Sequence, residues 1–597
     1  MSTTPRPVGA LLAFVLLLLA PGTAHAKIAY TLHLDHPEQH SFRVQMIVSS
    51  PEKNLVIALP AWNALYQIRD FAYRVRDVHA FLVPGSGREI ALRKLDKQTW
   101  QVLLPAARPE NDQIEIDYAI EWNDPGPFNS QLNEHHAFMN LAQILMYVPN
   151  RRNEEALIGF EGVPAGWRAV TELVPAAQMK DSFSAESYDA LVDAPVEIGK
   201  IDEFAFDNEG VHFRVVVDGK DWKRDRLEDC LRRITGYELQ LMSGPPFKEY
   251  TFFFHIGTYA DVGGGGMEHS YSTAIAATSV ESAAAVAAHE FFHAWNVKRI
   301  RPQALEPVDY ANEQYTRALW FAEGVTSAYA AYALERSGLW SRDQFYGDLS
   351  SQISDLEARP ARKSQSVEES SLDTWLEKYD SYNTADRSIS YYNKGQIIGV
   401  LLDLALRDAT ANHRSLDDVL RRLNVEYARQ GKFYSDSEGI RAVVEEVSET
   451  SFETFFRRYV AGTEEIPYSS FLAFAGLELK VELTKTADLG FRPERSAGGV
   501  TVSAVEPGSA ADAAGLRDAD VVVSVNGQSV AKNPAAVLRE LSPGETIELR
   551  LRRKGDELAI SFPVGSHESR RYSIAEISHP TDRQHAIREG LLRGTTD

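Results

Sequence analysis

The sequence predicts an α+β protein of several domains: an antiparallel β domain first, then a mixed α+β unit, a helical domain and a small β domain near the C-terminus. Three observations carry this reading. The first part alternates apolar and polar residues at period two. The middle holds Ala283 to Pro302, AAAVAAHEFFHAWNVKRIRP, an alanine-rich run with polar residues at helical spacing. From about Leu477 short β-branched runs divided by turns take over.

Residues 1–26 stand apart. Arg6 precedes an apolar stretch, Gly9 to Ala20, and Ala24-His25-Ala26 is an A-x-A cleavage site. This pattern reads as a secretory signal peptide, so Lys27 begins the mature chain, periplasmic or secreted. The apolar stretch is short for a bilayer, and no stable membrane insertion is expected. Cys230 is the one cysteine in 597 residues, which excludes an intramolecular disulfide and a thiolate metal cluster. It lies with Leu227, Leu231 and Ile234 at helical spacing, as a core residue does. The net charge of −22 argues against nucleic acid as a partner.

Residues 27–167 form the β-rich domain, an antiparallel sandwich or saddle. Tyr30 to Leu34, Ser41 to Val48 and Gln113 to Tyr118 alternate, and Pro84 to Gly87 is a turn. The domain serves as scaffold or as a wall over a cleft. His135 and His136 fall in a polar stretch and are read as solvated. Residues 168–337 form the mixed unit. It contains strands at Tyr250 to Ile256 and Ser270 to Ala276, the helix around Cys230, a helix opened by the capping box Thr278 to Glu281 and closed by Pro302, and an apolar helix from Val325 to Leu334. Residues 338–476 read as helical, with Leu416, Val419, Leu420 and Leu423 on one face. Within them Arg359 to Arg387 reads as a polar loop at a cleft rim, and a helix runs from Gln396 to Leu406. Residues 477–565 form the second β domain, and 566–597 a polar tail with a helical piece near Ala586 to Leu592.

The chemistry concentrates in four stretches. His289-Glu290-Phe291-Phe292-His293 is an H-E-x-x-H motif. On a helix its histidines share a face and can grip one Zn²⁺, and Glu290 can act as general base on a metal-bound water. A catalytic zinc needs a third protein ligand, and Glu323 in WFAEG is the candidate, its alternative being an exposed helix-start glutamate. Three ligands plus water imply one Zn²⁺ per chain. Gly263 to His269, GGGGMEH, lies between two strands, so a peptide could lie along this edge as an added strand, with Glu268 at one end. A plain flexible turn is the competing reading. In Tyr391-Tyr392-Asn393-Lys394-Gly395 a phenol could donate to a developing oxyanion or simply mark a boundary. Arg299 and Arg301 are expected to pair with carboxylates of the fold.

Together these stretches resemble the glycyl aminopeptidase family of zinc metallopeptidases, gluzincins with a thermolysin-like catalytic domain. HEFFHAWNVKRIRP looks like the family's zinc helix, WFAEGVTS like its glutamate-ligand segment, GGMEH like its substrate edge, and YYNKG like the segment of the catalytic tyrosine. The resemblance implies zinc on His289, His293 and Glu323, Glu290 as base, Tyr392 as oxyanion donor, and Glu268 as reader of the substrate's amino terminus. Gly265, Gly266, Met267 and His269 would complete the substrate edge. It also implies peptides with a free amino terminus and a small first residue, glycine or alanine, as substrates. Two departures stand out. Ser327 occupies the place of an aspartate that supports a histidine ligand in relatives, and His269 stands where related aminopeptidases have asparagine. GSAADAAGLRDADVVVSVNGQSV resembles a PDZ domain, with Leu489-Gly490-Phe491 as carboxylate-binding loop and Asp488 where a glycine is usual. Such a domain takes a peptide or protein ligand by strand addition, or serves for docking. The rival readings are a zinc endopeptidase and a non-catalytic, PDZ-based peptide-binding protein.

Overall fold

The computed structural model describes residues 28–49, 53–63, 66–83, 89–105, 112–176, 181–257, 264–496, 499–530 and 534–596. The expected signal peptide, the turn at 84–87 and Gly263 lie outside them. The chain divides into two compact units, one of residues up to Leu477 together with 576–597, the other Glu478–Ala575. The architecture is the mixed α+β one expected, with β structure first, helices in the middle and a second β unit late in the chain.

The first unit opens with an eight-stranded sheet. The alternating stretches reappear as strands Ile28–His33, Ser41–Ser49 and Gln113–Glu121. Their inward residues, among them Tyr30, Leu32, Val44, Met46, Ile116 and Tyr118, join one large core. One pairing departs from the antiparallel rule: Ile28–His33 runs parallel to Ala156–Glu161. His136 corrects the solvated reading. It sits in strand His136–Met139, 4% exposed, with Nδ1 2.7 Å from Glu197. The other Glu197 oxygen lies 2.9 Å from His255 Nε2. The strand is buried along its whole length, and a carboxylate satisfies the ring there. His135 stays exposed.

A five-stranded sheet follows, built from β1 (Asp202–Asn208), β2 (Val211–Gly219), β3 (Glu249–Ile256), β4 (Gly265–Glu268) and β5 (Ser272–Ala277) in the order β1-β2-β3-β5-β4. β2, β3 and β5 are parallel, and β4 pairs antiparallel with β5 at the sheet edge. Helix α1 (Arg224–Leu241) buries Cys230 beside Ile234, Ala284 and Ala288, as a core residue. Helix α2 (Val280–Phe292) carries the H-E-x-x-H motif, and Phe291 packs it on Phe213, Tyr250 and Phe252 of the sheet. Its start differs from expectation by one residue. Ser279 caps it, with Ser282 completing the box in place of Thr278 and Glu281. It also ends well before Pro302. Past Phe292 the Ala294 and Trp295 N–H groups donate three residues back, and farther on the Lys298 and Ile300 N–H groups donate to carbonyls five residues back. His293 keeps helical angles, φ −60° and ψ −19°, so its i,i+4 relation to His289 survives.

Glu323 lies on a π-helical turn, Trp320–Val325, leading into α3 (Thr326–Arg336). Helix α4 (Tyr391–Ala409) runs beside it, starting five residues earlier than expected because Ser390 caps it. The segment Arg359 to Arg387 is not a plain loop: it contains helix Val367–Leu372, capped by Ser366, and buries Trp375. Arg301 meets Glu306 at 3.3 Å, as expected, whereas Arg299 bonds the carbonyls of Ser270 and Ala294.

The second unit packs Phe491, Val502, Val522, Leu549 and Leu551 in its own core. In the stretch Leu489-Gly490-Phe491 the Gly490 N–H donates to the Asp488 carboxylate, 2.9 Å. After it the chain returns to the first unit as α5 (Asp582–Arg593). Ile587, Leu591 and Leu592 are buried there, and Arg336 and Arg407 donate to the carbonyls of Leu591 and Thr595, both at 2.6 Å.

Candidate metal centre and substrate cleft

His289 Nε2 and His293 Nε2 lie 3.0 Å apart. Glu323 Oε2 is 3.5 Å from the first and 3.2 Å from the second. Zinc bonded tetrahedrally at its usual 2.0–2.2 Å separates neighbouring ligand atoms by about 3.3 Å, so this triangle fits such an ion. The tautomers fit too. His293 Nδ1 faces the Asn296 carbonyl at 2.6 Å. Ser327 donates its hydroxyl proton to the Glu323 carbonyl, 3.0 Å, and so accepts from His289 Nδ1 at 3.3 Å. Both Nδ1 atoms carry protons in this network, which leaves both Nε2 lone pairs aimed at one point. Ser327 thereby fills the supporting role of the aspartate it replaces. Glu323 is 3% exposed, which rules out the exposed helix-start reading.

The electrostatics call for a cation. Burial acts to lower the His293 pKa, but the charge and hydrogen bond of Glu323, with Glu268 and Glu290, push it up to about 10. Burial lowers His289, only partly opposed by Glu323. Burial would raise Glu323, yet the two histidines hold it well below the usual carboxylate range. One positive charge is therefore stabilised among three groups, whether as a proton or as a metal ion. Glu290 is different. It is 6% exposed, and burial raises its pKa well above that of a free carboxyl, with His293 opposing and Glu268 and Glu323 adding to the rise.

Two glycine contacts hold these groups in place. A Cβ on Gly324 would come within 2.5 Å of the Gly395 Cα and 2.6 Å of the Tyr391 carbonyl. Backbone thus lies against backbone, bringing the π-turn of Glu323 to the first turn of α4, where Tyr392 stands. A Cβ on Gly266 would lie 2.3 Å from Glu290 Cγ, so the bare glycine lets the edge strand lie directly on the motif's carboxyl. Single-turn π-bulges are common at functional sites.

A cavity of about 320 Å³ opens onto the three metal-binding side chains. Gly266, Met267, Glu268, His269, Glu290 and Tyr392 all line it, whereas Gly265 lies at a neighbouring hollow. Carboxylate and imidazole atoms of Glu268, Glu290 and His293 lie within 4.8 Å of one another. Tyr392 stacks obliquely near His289, ring centroids 6.2 Å apart, while the Tyr391 hydroxyl is 3.1 Å from Thr374 Oγ1 outside the cavity lining. His269 is 1% exposed, with Nδ1 3.5 Å from Asp193, which also bonds Lys298 at 2.7 Å and the Ser270 N–H at 2.9 Å.

The N-terminal domain supplies the far wall, one of its two expected roles, but the residues that form it were not read from the sequence. Trp62, Asn63, Tyr66 and Phe128 of the N-terminal β structure line the same cavity. Asn63 Oδ1 is buried without a hydrogen-bond partner among the described residues. No local signal marks these residues.

A cation bound between two imidazoles and a carboxylate, with a buried carboxyl group alongside and a sheet edge open to an extended chain, is equipment for cutting peptide bonds. The chain is a metallo-aminopeptidase, a hydrolase with a metal cofactor. Residues 282–398 match the family model of the M61 glycyl aminopeptidase, 29–200 that of the peptidase M61 N-terminal domain, and 501–553 a PDZ domain. The chain carries the catalytic and N-terminal domains of the M61 glycyl aminopeptidases together with a PDZ domain. Its fold is similar to that of an aminopeptidase N family protein from Idiomarina loihiensis, at 23% identity and TM-score 0.81 over 95% of this chain and 100% of that one. An M1 zinc metallopeptidase from Deinococcus radiodurans is more distant, at 15% identity and TM-score 0.46 over 74% and 94%. No curated protein matches the sequence. Among the described residues no helix is long and apolar enough to cross a membrane.

Proposed function

We propose that the chain is an exported zinc aminopeptidase that removes small amino-terminal residues, glycine or alanine, from peptides. The observation that carries this is the sharing of one cavity by Glu268, Glu290, Tyr392 and the three metal-binding side chains. One Zn²⁺ per chain, held by His289, His293 and Glu323, would polarise the scissile carbonyl and lower the pKa of its water. Glu290 takes a proton from the attacking water and passes it to the leaving amine. Its burial favours the protonated form, which suits the second half of that transfer. Tyr392 donates its phenolic proton to the carbonyl oxygen as charge develops there. Burial raises the Tyr392 pKa well above that of free tyrosine, with Glu323 adding to the rise, so the phenol stays a donor at neutral pH.

Glu268 gives the exopeptidase its register. A substrate α-amino group has a reference pKa of about 7.7–8.0 and is largely cationic near neutrality. Paired with Glu268 in a cleft, that cation fixes the end by which the peptide is held. The edge strand β4 holds the peptide backbone, with Gly266 and Met267 beside the bond to be cut. The experiment is hydrolysis of matched glycyl and alanyl substrates with free and acetylated amino termini. Acetylation should abolish turnover, and Glu268→Gln should weaken free-amine substrates alone. Rapid internal cleavage of blocked peptides, independent of Glu268, would overturn the reading. Export rests on the signal-peptide pattern of residues 1–26, and amino-terminal sequencing of the mature protein, expected to begin at Lys27, tests it.

A further inference from the structure

The preference for a small first residue has no cause in the groups described so far. Glu268 binds the amine, and the metal site binds the carbonyl. The first residue's Cα is bonded to both. Any side chain that approaches both carboxylates therefore borders the space into which the substrate's first side chain must project.

Tyr66 is such a group. It lines the cavity, and its phenol feels, after burial itself, the charges of Glu323 and Glu268. Tyr392 in turn senses Tyr66. The Tyr66 ring is held from behind. Trp375 meets it edge-on at 6.4 Å, Trp62 lies tilted at 6.3 Å, and these two indoles pack edge-to-face at 5.1 Å. Trp62 is anchored by its indole N–H, which donates to the carbonyls of Asp309 at 2.7 Å and Asn312 at 3.1 Å. The backbone at Tyr66 has φ +46°, a left-handed angle that a bulky side chain rarely adopts. A strained conformation persists only where its surroundings over-determine it.

We infer that Tyr66, lent to the site by the N-terminal β domain and backed by Trp62 and Trp375, is the wall that limits the size of the substrate's amino-terminal side chain. This rests on the aminopeptidase reading above. A ring clamped by two indoles cannot swing aside for a leucyl or phenylalanyl side chain, whereas glycine and alanine need no such space.

The test compares kcat/KM for glycyl, alanyl and leucyl p-nitroanilides in zinc-loaded wild type, Tyr66→Gly, Tyr66→Asn and Tyr66→Phe. Glycine and asparagine both tolerate the left-handed angle, so these variants open the wall without adding backbone strain. Phenylalanine keeps the wall and removes the hydroxyl. The leucyl-to-alanyl ratio should rise at least ~10-fold in Tyr66→Gly and Tyr66→Asn, the low end for a change of pocket volume. In Tyr66→Phe it should stay as in wild type. An unchanged ratio in either folded small-residue variant overturns the inference. An equal rise in Tyr66→Phe does so too, since the hydroxyl would then act in place of ring volume. The wild-type profile tests the other reading separately. If wild type already prefers leucyl substrates, small-residue specificity falls, while a shift on opening Tyr66 still marks the wall.

Discussion

Gly324→Ala asks whether the metal site depends on one backbone contact. The added methyl would lie 2.5 Å from the Gly395 Cα, 2.7 Å from its carbonyl carbon and 2.6 Å from the Tyr391 carbonyl oxygen. Carbon atoms rest at about 3.5–4.0 Å, so the shortfall is about 1 Å or more, and both sides are backbone. No rotamer change can absorb it. The π-turn must move away from α4 by roughly that distance, carrying Glu323 with it. Overpacking of this kind costs typically ~1–3 kcal/mol. The functional loss should be larger. Glu323 Oε2 now sits 3.2 and 3.5 Å from the two imidazole nitrogens. A displacement near 1 Å opens that triangle and parts Glu323 from Tyr392. Misplacement on this scale costs about 10²-fold in rate. The assay is zinc content after dialysis, with turnover of alanyl p-nitroanilide. We expect sub-stoichiometric zinc and at least ~10²-fold lower kcat/KM. Gly399→Ala is the control on the same face of α4. Its methyl would meet side-chain carbons of Val325 and Ala328 at 3.2 and 3.3 Å, which can yield by small shifts. Full zinc loading and normal turnover in Gly324→Ala would refute the reasoning.

Glu290→Gln should retain zinc yet lose at least ~10²-fold in kcat, read from paired metal analysis and steady-state kinetics. Tyr392→Phe should lower kcat by roughly 10²-fold with little change in KM, because an oxyanion donor acts in the transition state. Gly266→Ala should push Glu290 aside and cost activity while zinc content stays at wild-type level. Glu197→Gln should destabilise by on the order of 3–5 kcal/mol, since it breaks a buried pair. Despite burial, His136 and His255 hold the Glu197 pKa down to about 2, and Glu197 holds that of His136 up. Stability from the depressed carboxyl is present above its unfolded pKa of about 4.3, and stability from the raised imidazole is present below about 6.5. The difference in Tm between wild type and Glu197→Gln should therefore peak between these values and shrink on either side.

The parts of the site legible in the sequence are those whose spacing is local. Four residues separate His289 from His293, and a helix turns that number into a shared face. The edge strand announced itself through glycines and the third ligand through an acid among apolar neighbours. Local reasoning ended where contacts span the chain. Nothing near Trp62 or Tyr66 in sequence points to a metal site more than two hundred residues away. His136 looked solvated because its sequence neighbours are polar, while its partner Glu197 lies 61 positions on. The resemblance marked Ser327 as standing at a supporting position, but neither its bond to His289 nor the support from Asn296 was legible, because hydrogen-bonding direction emerges only from geometry. The end of α2 was misjudged because proline is a late stop signal and the regular helical bonding had already given way past Phe292.

The late return of the chain to its first unit has a consequence for synthesis. The segment 478–575 is spliced into the body between Leu477 and Glu576, so helix α5 is synthesised only after it. Arg336 of α3 and Arg407 of α4 are buried cations whose carbonyl acceptors belong to that returning segment. The body that holds the metal site is unfinished, with these acceptors missing, until every residue of the second β unit has been made. A chain truncated anywhere within that unit lacks a structural part of the peptidase, and after a single proteolytic nick inside it α5 is held to the body only by non-covalent contacts.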